Sequence, residues 1–424
     1  MDRPTTMPRR LLLSSLVAVL TLLGAEGAHR LWSAARPPGA YDATDTRTAM
    51  QELLNSVNQT IPMPGDVKAA SFSDSSKRFE ILHPFLGFDA NYGPEQLLND
   101  IGNIRHDPDA YWILILGGSV ANIFGQQGTE RLGELLAADP RFAGRSVRFL
   151  NYGRASFKQP QQVMMATWLF SFGIQPDAVI NLDGFNEVAV SNANVAREMH
   201  PVYPAYGQWL AQVRSGDADM TSLEMLTESR RRRSELIDFT QRCLDRRLYL
   251  SSLAGGWALG RMRAERKALV AGTMDYLEHL KAGGLDPWLL GPTFAPDRDQ
   301  GLQFSVANWQ RSSISLAGLC AGHGVLYLHA LQPTLYDEGS KPLTDQELEV
   351  SKTIVEWVEG ARLGYPLLRE AGETLREHGI GFVDCSMVFE DVVRPLYYDA
   401  CHFTRGGNVR LAEAIAPAFL AHLP

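Results

Sequence analysis

The chain has 424 residues, 45% hydrophobic and 21% charged, values ordinary for a globular catalytic domain and sufficient for a large buried core. A net charge of −8 argues against nucleic acid as the main partner. Beyond the amino terminus no segment is apolar for long enough to cross a bilayer, and neither repeats nor low-complexity stretches occur.

At the amino terminus Arg9 and Arg10 precede a run of apolar and small residues, 11–24, followed by small residues at Ala25 and Gly27. A basic start, a short apolar stretch and a small-x-small site describe a signal peptide. As a helix the run would span roughly 21 Å, short of the ~30 Å of a bilayer core. Leu31 and Trp32 extend its apolar character, so residues 1–32 read either as a cleaved signal or as an uncleaved membrane anchor. Both readings put the rest of the chain outside the cytoplasm, in the periplasm or at the cell surface. Residues 33–109 carry Pro37-Pro38, a helix expected over 45–57, and few strong strand runs. They read as an extension packed on a catalytic domain at 110–424. Within the extension, His83 precedes Pro84, which fits a surface turn; a cleft-facing role is the alternative.

The first strong strand, 111–116, ends in Gly117-Gly118-Ser119. Four consecutive apolar residues before two glycines and a serine predict a buried parallel strand that delivers Ser119 at its carboxyl end, where ligands bind in open α/β sheets. Helices are expected near 130–138 and 161–172. A second strand, 147–150, leads into Asn151-Tyr152-Gly153-Arg154-Ala155-Ser156, and a third, 178–182, into Asp183-Gly184-Phe185-Asn186-Glu187. Two more are expected at 324–329 and 381–385. Strands alternating with helices predict a three-layer α/β/α sandwich of flavodoxin-like type, with a mostly parallel five-stranded sheet.

About 140 residues separate the third and fourth strands, far more than a crossover helix needs. A helical insertion, about 205–300, is expected there as a wall or lid near the cleft. Its helical stretch 225–270 is broken by Gly255-Gly256 and includes Arg230-Arg231-Arg232-Arg233 between Glu228 and Glu235, a pattern that predicts a solvated, salt-bridged face. Further on, Thr344 and Glu347 form a capping box opening a helix toward Leu363. His329 and Gln332, at the end of the fourth strand, are candidates for lining the pocket. A closing helix is expected over 409–420.

A serine hydroxyl needs a base to take its proton and donors to stabilise the oxyanion that forms. Of the ten histidines only His402 has an aspartate, Asp399, three residues before it, a spacing that lets a carboxylate orient the imidazole. Asn186 offers an amide N–H to an oxyanion, which a carboxylate in its place could not do. The four cysteines, Cys243, Cys320, Cys385 and Cys401, show no metal-ligand spacing, and neither Cys-x-x-Cys nor His-Glu-x-x-His is present, so no metal or cofactor is expected. In a disulfide-permissive compartment they allow three pairings if all pair. Cys401 reads as a structural thiol or disulfide, since neighbours on an extended loop point apart.

Taken in order, these segments resemble the SGNH hydrolases, the superfamily of the GDSL esterases and lipases. Ser119 matches the nucleophile of the first block, Asn186 the asparagine of the third, and Asp399 and His402 the last. The first block reads Gly-Gly-Ser-Val in place of Gly-Asp-Ser-Leu, so Gly118 replaces the family aspartate, and Glu187 replaces the aspartate after Asn186. In the second block the residue five after Asn151 is Ser156 instead of glycine, with Gly153 as the alternative. The resemblance implies an acyl-enzyme mechanism: His402 deprotonates Ser119, Asp399 holds the imidazole, and the N–H groups of Ser119 and Ser156 with the Asn186 amide receive the oxyanion. It implies an ester substrate, such as an acylated envelope polysaccharide. An acyltransferase would use the same residues, and a non-catalytic glycan-binding or assembly protein could keep the same sheet. An α/β-hydrolase would want Gly-x-Ser-x-Gly, whereas Ala121 fills the last place.

Overall fold

A computed structural model describes residues 21, 23–32, 34, 41–60, 80–90, 93–213, 220–282, 291–292 and 298–423. The basic pair at the amino terminus and the apolar run as far as residue 20 lie outside the described residues. Among those described, no helix is long and apolar enough to cross a membrane. The chain forms two units, one from residues up to Val57 with 227–272, the other from the remainder.

The helices Met220–Asp245 and Ser252–Ala282, which lie mostly in the first unit, meet around a short 3-10 turn, Leu248–Leu250. The break falls at 246–251, not at Gly255-Gly256 as expected, because Arg247 adopts a left-handed φ of 52°. Gly255 serves a close approach instead: a Cβ there would lie 2.1 Å from the Tyr41 hydroxyl. The arginine run is only in part a solvated face. Arg231 pairs with Glu228 and Glu235, and Arg232 with Glu228 and Glu265, but Arg233 is buried. Helical periodicity explains it: Ser229, Arg233, Leu236 and Thr240, three or four residues apart, form one buried stripe.

Among its described residues the second unit contains seven strands: β1 (Glu80–His83), β2 (Gly87–Ala90), β3 (Tyr111–Gly117), β4 (Val147–Asn151), β5 (Ala178–Asp183), β6 (Leu326–Leu331) and β7 (Gly381–Asp384). The last five make a parallel sheet of order β4-β3-β5-β6-β7, covered by helices on both faces. In β3 the alternation of side chains sends Ile113 and Ile115 to one core, with Phe124, Leu132 and Phe419, and Leu114 and Leu116 to the other, with Met165, Leu169 and Leu316. Strand order reverses between β3 and β5, which opens a crevice at their carboxyl ends. Ser119 follows β3 and Asn186 follows β5, so the two straddle it.

Local chemistry shifts some expected boundaries. The fourth strand starts at Leu326 because Gly324, at φ 69°, ends the helix Arg298–Gly322, with the Val325 N–H turned back to the Cys320 carbonyl. β1 and β2, not anticipated, form an antiparallel hairpin, and His83 at its turn accepts the N–H groups of Phe85 and Leu86, as a turn histidine does. The capping box at Thr344 is present, yet its helix ends at Val350 and a second, Val355–Glu377, begins after Ile354. The Tyr336 hydroxyl donates to the Ser351 carbonyl at that interruption. The closing helix is longer than expected, Arg405–His422.

Glu347 has a second task. Its Oε2 accepts from Lys341 Nζ and the Thr344 N–H, while Oε1 accepts the backbone N–H groups of Leu396 and Tyr397 at 2.8 and 3.0 Å. Burial alone would raise its pKa, but the Lys341 and backbone hydrogen bonds hold it below the usual carboxylate value, so its stabilisation is present at neutral pH and fades as pH falls through that lowered pKa. Both side chains of the Lys341–Glu347 pair are fully buried. Glu347→Ala is expected to cost about 3–5 kcal/mol in chemical denaturation, because it strands a buried ammonium and frees the segment leading to Asp399.

Candidate active site

Ser119 opens the helix Ser119–Gln127. Gly117 makes the turn possible: its φ is 138°, and a Cβ there would fall 1.9 Å from the Leu182 carbonyl oxygen. As first residue of the helix, Ser119 has a backbone N–H with no helical acceptor. Its hydroxyl Oγ lies 2.6 Å from His402 Nε2, although 283 residues separate the two in sequence. On the other side of the ring, His402 Nδ1 is 2.8 Å from Asp399 Oδ2 and 3.0 Å from Oδ1. The structure therefore brings Ser119, His402 and Asp399 into one hydrogen-bonded line, with His402 and Asp399 side chains 10% and 15% exposed.

The loop holding this line is folded back. Asp399 Oδ1 also accepts the N–H groups of Cys401 and His402, at 3.0 and 2.8 Å. Around it the Tyr398 N–H donates to the His402 carbonyl, and Tyr397 bridges to Phe403. The Tyr398 ring stacks on the imidazole at 6.0 Å and 17°. This folding corrects the expectation that Cys401 and His402 point apart: the Cys401 sulfur lies 3.6 Å from Nδ1 and 3.8 Å from Nε2. All four cysteines are buried, and none of the possible disulfides forms.

Asn186, just beyond β5, donates Nδ2 to the Phe157 carbonyl at 2.8 Å, leaving its second amide hydrogen unclaimed by that bond. The amide abuts the nucleophile's turn, for a Cβ on Gly118 would lie 2.5 Å from Nδ2. This gives a physical reason for glycine where the resembled family has aspartate. The second block is organised by Arg154, whose buried guanidinium pairs with Asp89 of the hairpin and donates to Gln96. Arg154 N–H binds the Gly117 carbonyl, and the Phe157 N–H returns to the Arg154 carbonyl, closing a turn with Ser156 at φ 60°. Such a turn leaves the N–H of its third residue outside the closing hydrogen bond. The Ser156 hydroxyl accepts from Gln208 at 2.7 Å. The N–H of Gly153, by contrast, points to Asn151 Oδ1 at 3.2 Å, and a Cβ on Gly153 would collide with the Asn122 nitrogen at 2.3 Å.

Behind Asn186 lies a buried polar network. Asp183 accepts from Trp309, Asn181 and Gln159 and bonds His329 Nε2 at 2.7 Å, while His329 Nδ1 bonds Ser313, itself 3.0 Å from the Tyr327 hydroxyl. Burial would raise the Asp183 pKa, but His329 and these donors lower it. His329 and Gln332 are buried, so they support the strand end instead of lining an open pocket. Glu187, next to Asn186, receives the N–H groups of Gly184 and Gln159 and so ties the loop before Asn186 to the segment that follows Phe157. Burial and the Asp183 charge push its pKa up to about 8. Lys158, also buried, donates to the Pro201 carbonyl, and burial lowers its pKa to about 7. Sequence reasoning missed the supporting roles of Arg154, Glu347 and Tyr398, whose partners are remote in the chain or unspecified by any motif.

No family model and no curated protein matches the chain. Among solved structures it is similar to mutant forms of an acetylxylan esterase, also described as an acetyl-xylooligosaccharide esterase, from Geobacillus stearothermophilus. Identity is 12% and the TM-score 0.33, over 73% of this chain and 93% of that one for two of them, and 74% and 93% for a third. So distant a likeness does not bear on chemistry, which is read from the site's own geometry.

Burial opposes the imidazolium of His402, but Asp399, with the Cys401 sulfur beside the ring, raises its pKa well above that of an ordinary histidine, about 6.5. The stabilisation is complete below the unfolded value and lost as pH rises through the folded one. In a histidine NMR titration, the signal lost in His402→Gln is expected to have its midpoint above pH ~6.5 and to move down in Asp399→Asn.

Proposed function

We propose that this chain is a serine esterase of SGNH type, exported and held at the membrane, acting on ester groups such as the O-acetyl groups of an envelope glycan. The hydrogen-bonded line from Ser119 Oγ through His402 to Asp399 supports the reading above all. In the first step His402 Nε2 takes the Ser119 proton as Oγ bonds to the acyl carbon. The oxyanion is received by the Ser119 N–H at the helix start, the free Asn186 amide hydrogen and the Ser156 N–H. Ser156 is favoured over Gly153 because it adopts a glycine-like φ while the Gly153 N–H is engaged by Asn151. Collapse expels the alcohol, protonated by His402, and leaves an acyl-Ser119 ester. His402 then deprotonates a water, which attacks the acyl carbon; collapse breaks the bond to Ser119 Oγ, which takes the proton back from His402, and releases the acid.

Retention of the amino-terminal segment is part of the proposal. Glu26, inside the small-x-small site, accepts the Ser252 and Leu253 N–H groups at 2.6 and 3.2 Å and the Ser251 hydroxyl at 2.7 Å, capping the helix Ser252–Ala282. His29 adds a bond to the Ser252 hydroxyl. Such caps contribute about 0.5–2 kcal/mol, and cleavage after Gly27 would remove this one.

A fluorophosphonate probe is expected to label the wild type and not Ser119→Ala; an unlabelled, folded wild type would refute the esterase reading. Asn186→Ala should lower kcat on an aryl acetate by about 10²–10³-fold with little change in KM. Product analysis on acetylated glycans, with and without an acceptor alcohol, reports whether water or alcohol takes the acyl group. Intact-mass measurement of membrane-fraction protein should find residues 1–32 retained, and a mature form starting after Gly27 would contradict the tether.

A further inference from the structure

We propose that the tip where the helices Met220–Asp245 and Ser252–Ala282 meet, with the amino-terminal helix fastened to it, is a docking surface for a bilayer containing anionic phospholipid. The proposal deepens the membrane-held reading above and rests on it. Residues 23–32 are helical, and of these only Glu26 and His29 are even partly buried. Those two and Arg30 make the attachment: Glu26 accepts the Ser252 N–H, His29 bonds the Ser252 hydroxyl, and Arg30 donates to the Leu250 carbonyl at 2.7 Å. The whole surface belongs to the first unit.

The level of the attachment points to the bilayer. As a helix the apolar run 11–24 spans roughly 21 Å and falls short of the ~30 Å hydrocarbon core by about 9 Å, or about six residues. Six residues beyond Gly24 is Arg30, the residue bonded to Leu250, so the hydrocarbon boundary falls level with the tip. There apolar side chains stand uncovered: Leu31, Leu250 and Trp257 are 76%, 54% and 59% exposed, and Leu23 and Leu253 are exposed as well. Leu253, Trp257 and Arg261 follow at intervals of four along the exposed face of the second helix, which therefore runs from aliphatic through aromatic to cationic away from the tip. The Arg261 guanidinium lies 5.9 Å from the centre of the Trp257 ring. A bilayer presents hydrocarbon, interface and phosphate in that order, and tryptophan favours the middle level. Charge complements the lipid too. Between residues 242 and 261 stand four arginines against one carboxylate, Asp245, and Arg246 and Arg247 are exposed at the turn itself. Such side chains lay their stems on apolar surface and reach phosphate with their heads.

The test reconstitutes the full chain into vesicles of phosphatidylcholine and phosphatidylglycerol, with a bimane label on Leu250→Cys, on Leu253→Cys or, as control, on Val270→Cys, about 25 Å further along the same helix. The four native cysteines are buried, so the label reports the introduced one. Bimane at 250 and 253 is expected to be quenched by nitroxide-bearing lipid and shielded from iodide, and bimane at 270 to be quenched by iodide instead. Lipid quenching at 253 should drop by roughly half or more in Arg246→Glu/Arg247→Glu and on vesicles without phosphatidylglycerol. If iodide reaches 250 and 253 as freely as 270, on protein that floats with the vesicles, the docking surface is overturned and the tether stands. Labels shielded from both quenchers would put a second copy of the chain on the patch and overturn it equally, and quenching indifferent to both charge changes would overturn the anionic partner. Protein that does not float refutes the tether and this surface together, and leaves the Ser119 chemistry untouched.

Discussion

One carboxylate oxygen organises the site. Asp399 Oδ1 receives two consecutive backbone N–H groups and the imidazole it serves, so the same contacts that bend the loop also aim the ring at Ser119. A loop closed on its own aspartate loses little conformational freedom when the base acts, and that is the preorganisation a proton transfer needs. The bond from His402 to Ser119 then joins the end of β3 to the approach to the last helix.

The supports come from both sides. Glu347, anchored on buried Lys341, fixes Leu396 and Tyr397 before the loop begins, while Arg154 and Asp89 fix the turn that carries Ser156. Behind Asn186 the Asp183 and Glu187 network holds a third wall. Buried polar groups of this kind are costly unless every partner is in place, so they rigidify the crevice when complete. The strained backbone of Ser156, a non-glycine residue at φ 60°, is one local cost the arrangement tolerates, of order 1–3 kcal/mol.

Much of the sheet was legible from pattern, because strands buried on both faces read as apolar runs ended by glycine. β3, β4 and β5 appear where the runs predict them, and β6 moves by two residues only because Gly324 closes a helix before starting a strand. The hairpin of β1 and β2 was not legible, since its strands are four residues each and too short to impose a period. Nor was the break between the insertion's helices, which depends on one left-handed arginine that no propensity marks. The residues of the candidate site are named by order and spacing, but the expected divergence of the Cys401 and His402 side chains fails, because Asp399 bends the loop that carries them.

The sequence by itself determined the five strands of the parallel sheet and which side chains stand at their ends, since periodicity and turn residues are local properties of the chain. Only the tertiary structure decided that Ser119, Asn186, Asp399 and His402 flank one crevice, that Glu347 braces the loop from a distant capping box, and that a cysteine sits against the imidazole. Those facts depend on strand order and on hydrogen bonds between residues far apart in sequence, and such bonds leave no trace in spacing or composition.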